Sequence, residues 1–136
     1  MKNFEVLEHT ADIGGRVYGR DVIELFLNAA ELLYYLAGVK YAGEGKTAKI
    51  ELTSLTMEEL LVKFLNELIY YMEMEKMGGK ITRLSIGKKK EGLNLLCEMT
   101  GKSISAEREI KAATYHNLRI AEEEKGTFVS EIIFDI

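Results

Sequence analysis

The sequence predicts an α+β fold: a single layered domain over residues 1–136, with two main helices and a mixed or largely antiparallel sheet. Three observations predict it. Apolar residues recur at helical spacing in two stretches, Leu25 to Leu36 and Leu60 to Met72. Beyond Lys80 the texture changes to short alternating runs, several of them separated by glycines. Strands and helices are unevenly distributed, which argues against a doubly wound βαβ sheet. Size agrees. The chain has 136 residues, 47% of them hydrophobic. A chain of this length buries about two-thirds of the surface it exposes unfolded, enough for one core with little room for two.

Taken in order, Phe4 to Leu7 reads as a first strand. Residues 9–15 break the pattern with small residues and the Gly14-Gly15 pair, and Arg16 to Gly19 resumes it as a second strand. Asp21 is a good N-cap, with Glu24 three residues on as in a capping box, and Gly38 supplies the helix stop. Gly43 to Gly45 reads as a turn and Ala48 to Leu52 as a strand. Ser54 or Thr56 caps the second helix, Glu58 and Glu59 sit in its first turn, and Gly78-Gly79 ends it. Its Met-and-aromatic stripe reads as core. Ile81 to Ile86, Leu93 to Met99, Glu109 to Ala113, Leu118 to Ala121 and Thr127 to Phe134 are the later strands, with turn signals at Gly87, Gly92, Gly101 and Gly126.

Charge and composition exclude several classes. Acidic residues exceed basic ones, 22 to 18, so there is no global positive field for gripping nucleic acid. Lys88-Lys89-Lys90 is a local basic cluster, which beside Gly92 reads first as a solvated turn. The single cysteine, Cys97, rules out an internal disulfide and reads as a small buried hydrophobe. No signal-peptide core and no apolar stretch approaching about 18 residues is present, so a cytoplasmic, soluble protein without membrane contact is expected. Glu and Lys are abundant and Gln is absent, a balance that leans toward a heat-adapted source. With 19 Glu and only 3 Asp, each of Asp12, Asp21 and Asp135 invites the question of why Glu would not serve.

Candidate chemistry is sparse. Gly14-Gly15 precedes a strand and Gly78-Gly79 follows a helix, so neither has the strand-to-helix context of a phosphate loop. One Cys and two His make no usual zinc site, and no nucleophile elbow is present. A hard-cation site remains. If the final strand runs beside the Asp12 turn, the carboxylates of Asp12, Asp135 and the chain end at Ile136 gather. A divalent cation resolves their repulsion, and oxygen-only ligation favours Ca²⁺ or Mg²⁺ over Zn²⁺. On residue chemistry alone the plainer account leads: Asp12 as an Asx-turn residue bonding its own backbone, and Asp135 as a solvated end. His9 more plausibly orients that turn than ligates metal, and neither its partner nor that of His116 is legible. Glu109 and Lys111 would share a strand face as an ordinary charge pair.

His9-Thr10-Ala11-Asp12-Ile13-Gly14, with the helix start Asp21 to Ala30, resembles the opening of the archease family. Glu59 to Leu68, Ile110 to His116 and the ending Phe134-Asp135-Ile136 resemble later family blocks in the same order. Together they reach from residue 9 to the last residue and reverse the balance on the metal site. The resemblance implies a small α+β protein with layered sheet and helices. It implies a non-enzymatic activator of the GTP-dependent tRNA-splicing RNA ligase, promoting guanylylation of the ligase's active-site histidine, multiple turnover and broader nucleotide use. It implies a divalent-cation site, assigned in the family to calcium, with magnesium or manganese as substitutes. Its ligands carry over to Asp12, Asp135 and Ile136, the last through backbone or terminal oxygens. No stable direct contact with nucleic acid is expected. Thr56 stands where many members have Asp, and Gly101-Lys102 where many have Gly-Glu; neither change touches the proposed ligands. A general chaperone is the competing reading, and a metal-dependent hydrolase using the same carboxylates ranks below it.

Overall fold

The structure, a computed structural model, describes residues 2–8, 12–115, 118–124 and 126–136. The chain runs β1 (Phe4–Glu8), β2 (Asp12–Gly19), α1 (Val22–Ala37), β3 (Val39–Ser54), α2 (Met57–Met74), β4 (Met77–Lys89), β5 (Gly92–Ala106), β6 (Ala112–Ala113), β7 (Ala121–Glu124) and β8 (Thr127–Asp135). The α+β class is borne out, with two sheets where one was expected. The first has the order β1-β2-β8-β6, with β7 also pairing β8; the second has the order β3-β5-β4. Every pairing among the described residues is antiparallel.

Both helices form as their caps dictate. Asp21 Oδ1 accepts from the Glu24 N–H at 2.8 Å, satisfying one of the donors a helix start leaves orphaned. The reciprocal bond lies one residue earlier than in an ordinary capping box, because Glu24 Oε1 accepts from the Arg20 N–H at 3.0 Å. Thr56, not Ser54, caps α2, with its Oγ1 accepting from the Glu59 N–H at 3.1 Å. Gly38 closes α1 at φ 65°, a left-handed conformation natural to glycine.

Each helix packs against both sheets, so each buries more than a narrow stripe. One core results. It joins Leu25, Leu32 and Leu33 of α1 and Leu60, Leu65 and Leu68 of α2 to Val17, Ile132 and Phe134 of the first sheet and Leu95, Cys97 and Met99 of the second. Phe26 and Phe64 meet across the helices with ring centroids 5.7 Å apart.

Several sequence expectations are corrected, mostly at glycines. Gly14-Gly15 is buried inside β2, not a break before it. A Cβ on Gly14 would strike the backbone oxygen of Ile132 on the neighbouring strand, so close approach demands the glycine. Gly43 and Gly45 sit in register shifts within the long strand β3, not in a turn. α2 ends at Met74, and Gly78-Gly79 belongs to β4. Gly101 lies inside β5. Of the Glu109–Ala113 strand only Ala112–Ala113 pairs, so Glu109 and Lys111 share no strand face. The Leu118–Ala121 strand is replaced by Ala121–Glu124. Lys88 and Lys89 finish β4, and only Lys90 is in the turn.

Candidate metal centre

β8, the strand latest in the chain, lies in the interior of the first sheet between β2 on one side and β6 and β7 on the other. Its register against β2 puts Asp135 directly opposite Asp12. In an antiparallel pair, residues directly opposite lie with Cα atoms about 4.5–5.5 Å apart. The register is held next door by Ile13 opposite Phe134, both buried, since a slip by one residue would turn both to solvent.

The main chain around Asp135 is pinned. The Lys111 N–H donates to the Asp135 carbonyl at 2.8 Å, and the Thr114 N–H to that of Ile133 at 3.0 Å. Asn66, on α2, accepts the Ala113 N–H through Oδ1 at 2.8 Å. That side chain ties β6 to the helix and so brackets the strand that carries Asp135. Sequence reasoning assigned Asn66 no role. The signal available was a single Asn on the margin of an otherwise apolar helical stripe.

Asp12 opens β2 and is not in a turn between strands. Its Oδ1 is buried and accepts no hydrogen bond among the described residues, so the Asx-turn account fails for that oxygen. Asp135 and Ile136 are exposed. A carboxylate oxygen held out of water with no donor is costly unless a cation meets it. That orphaned oxygen, on a residue paired across the strands with a second aspartate, fits a hard-cation ligand set. Among the described residues no cluster of three or more His, Cys, Asp and Glu side chains gathers. Two side chains and the oxygens of Ile136 are therefore the described part of any such site. His9 and His116 lie outside the described residues.

Fold and site define a small two-sheet α+β protein whose first sheet carries a facing pair of aspartates where β2 begins and β8 ends. Residues 4–136 match the Archease protein family, and the chain belongs to it. Protein archease of Pyrococcus abyssi is 30% identical over the whole of both chains. That of Archaeoglobus fulgidus is 33% identical over 98% of each. Among solved structures, the solution structure of Methanobacterium thermoautotrophicum protein 1598 superposes with a TM-score of 0.81 at 31% identity, covering 100% of both chains. The crystal structure of "an archease, possible chaperone" from Thermotoga maritima matches with a TM-score of 0.68 at 23% identity, over 96% of this chain and 94% of that one, and shares the fold. Among the described residues no helix is long and apolar enough to cross a membrane.

Proposed function

We propose that this chain is a non-enzymatic activator of the GTP-dependent tRNA-splicing RNA ligase, acting in the cytoplasm through a divalent-cation site at Asp12, Asp135 and Ile136. Family membership supports the ligase as partner. The observation that carries the site is the buried, unpartnered Oδ1 of Asp12 opposite Asp135. These residues would hold calcium, or magnesium or manganese in its place, through oxygen atoms alone. When bound, the ion supplies positive charge of the kind that nucleotide phosphates need during guanylylation. The rest falls to the chain itself. Ile13 and Phe134 fix the register that keeps the two aspartates facing, and Asn66 anchors the strand beside Asp135.

Ligation by the cognate ligase, compared at excess enzyme and at excess RNA with and without this protein, tests the reading. The expected outcome is unchanged single-turnover ligation and a gain only when each ligase must act repeatedly. No gain at excess RNA would overturn it. A chaperone role, suggested by the name of the Thermotoga relative, needs a contiguous apolar patch. Among the described residues the large exposed hydrophobics fall in pairs, such as Val6 with Tyr35 and Tyr70 with Met74, or singly, as at Leu55, Leu96 and Tyr115.

A further inference from the structure

The net charge of −4 conceals a division between the two sheets. The segments that build the second sheet, 39–54 and 77–106, hold nine Lys and Arg against four Glu. That sheet carries +5, which leaves −9 for the rest of a chain whose total is −4.

Its outer face presents much of this charge. On β3, Ala48 and Ile50 are buried, so Lys49 and Glu51 point outward. On β5, Leu95, Cys97 and Met99 are buried, so Leu96, Glu98 and Thr100 point outward. The register places Lys49 and Arg83 on either side of Glu98, and Lys80 beside Thr100. Lys89 and, in the turn, Lys90 continue the basic surface at the hairpin end, whereas Lys88, opposite core-packed Leu93, alternates onto the other face. Lys49 Nζ lies 3.9 Å from Glu98, a loose pair. Among the described residues Lys46, Lys80, Arg83, Lys88, Lys89 and Lys90 form no ion pair.

β3 and β4 are both edge strands, and lysines on an edge discourage strand pairing between molecules. Lysine is the usual choice for that purpose. Edge protection does not account for Lys90 in the hairpin turn, nor for the scarcity of acids across the whole sheet in a chain where acids prevail elsewhere.

We propose that this face docks the phosphate backbone of a nucleic acid, RNA in the setting proposed above, weakly and without reading bases. The choice of RNA rests on that functional reading; the charge argument holds for any phosphodiester chain. A protein occupant fits less well. Protein interfaces are depleted in lysine and depend on desolvated apolar anchors. The large exposed hydrophobics of this sheet are Leu96 and Tyr41, and the Lys102 ammonium stands 5.6 Å from the Tyr41 ring centroid. Thr47, Thr53, Ser85 and Thr100 lie among the cations and supply hydroxyl donors for phosphate oxygens. The acidic remainder of the molecule repels the same strand, so contact is weak and salt-sensitive. This refines the expectation drawn from net charge alone.

Fluorescence anisotropy with labelled RNA and DNA of one sequence, about 20 nucleotides long, read from about 50 to 200 mM salt, tests the proposal on the protein by itself. Saturable binding that weakens with salt, alike for the two strands and across unrelated sequences, is expected. A variant carrying Lys80→Gln, Arg83→Gln and Lys89→Gln should lose about tenfold in affinity at the lowest salt. Its salt slope should be shallower by about 2, from three phosphate contacts at about 0.7 each. A variant with the same charge change elsewhere, Lys2→Gln, Arg20→Gln and Arg119→Gln, should retain the slope. Melting temperatures of the variants confirm folding. Absence of binding, preference for one base sequence, or equal loss in both variants overturns the proposal. So does low-salt self-association, seen by light scattering and abolished by the first variant, because a second copy would then occupy the face. Failure of ligase activation leaves the binding result standing, and binding without activation overturns only the functional reading.

Discussion

Asp12 and Phe64 mark two opposite kinds of residue in this chain. Asp12 is a poor contributor to stability, with one carboxylate oxygen buried and unpartnered and a second aspartate opposite. Asp12→Ala should therefore leave the circular dichroism spectrum intact, leave the metal-free melting temperature unchanged or raised, and abolish ligase activation. A variant that activates fully removes Asp12 from the site. Phe64 is fully buried against Phe26. Phe64→Ala should cost about 3–5 kcal/mol, a large share of a small domain's stability, read as a lowered denaturant midpoint. Activation measured well below the melting temperature should persist. The sequence marked both residues, by different signals. Phe64 stood on a helical apolar stripe. Asp12 stood out by scarcity, and of the three aspartates Asp21 proved to be a helix cap while the other two face each other.

At the scale of elements, helices were legible and strands less so. α1 and α2 are specified within a few residues of themselves by caps and by a 3.6-residue period. Strand limits depend on partners far away in the chain. Gly14 looks like an interruption in one dimension and is a requirement in three, because its neighbour is the backbone of residue 132. β6 is only two residues long, and single bonds, Lys111 N–H to Asp135 before it and Ala113 N–H to Asn66 within it, pin the chain where a longer ladder would. The pairing of Asp12 with Asp135 was conditional on the sequence and is fixed by the β2–β8 register. β8 also carries a prediction. Extending the chain beyond Ile136 converts a carboxylate to a neutral amide and drives extra residues out beside Asp135. Calorimetric titration should then show markedly weaker Ca²⁺ binding than for the chain ending at Ile136, while an N-terminal extension of the same length leaves it unchanged. Equal affinities would mean that the Ile136 carboxylate is not a ligand.

For the molecule as a whole, the shared core sets an alkaline limit. Burial pushes the Cys97 thiol up to about 11, with Glu98 adding to the shift, and burial raises the Tyr34 hydroxyl as well. As pH climbs past about 8.5, the unfolded chain releases the thiol proton first. The unfolded state then binds fewer protons than the native one, so stability falls with pH. Melting temperatures should be level through neutrality and decline above about pH 9, and Cys97→Ala should make the decline shallower. Identical slopes for the two proteins would show that Cys97 does not contribute. The charge division between the sheets was invisible in the sequence because both signs are interspersed along it, and only the assignment of segments to sheets separates them. The placement of β8 has a consequence for biosynthesis. β2 must wait for a strand more than 100 residues downstream, whereas β4 and β5 meet as a hairpin as soon as they emerge. The entropy of closing that long loop favours β2–β8 docking after the hairpin of β4 and β5. A nascent chain stopped short of β8 has no facing aspartates, leaves β2 a bare edge and lacks Ile132 and Phe134 from the core. The two aspartates thus come to face each other only once β8 has docked, so an ion held between them would mark a chain folded through that strand.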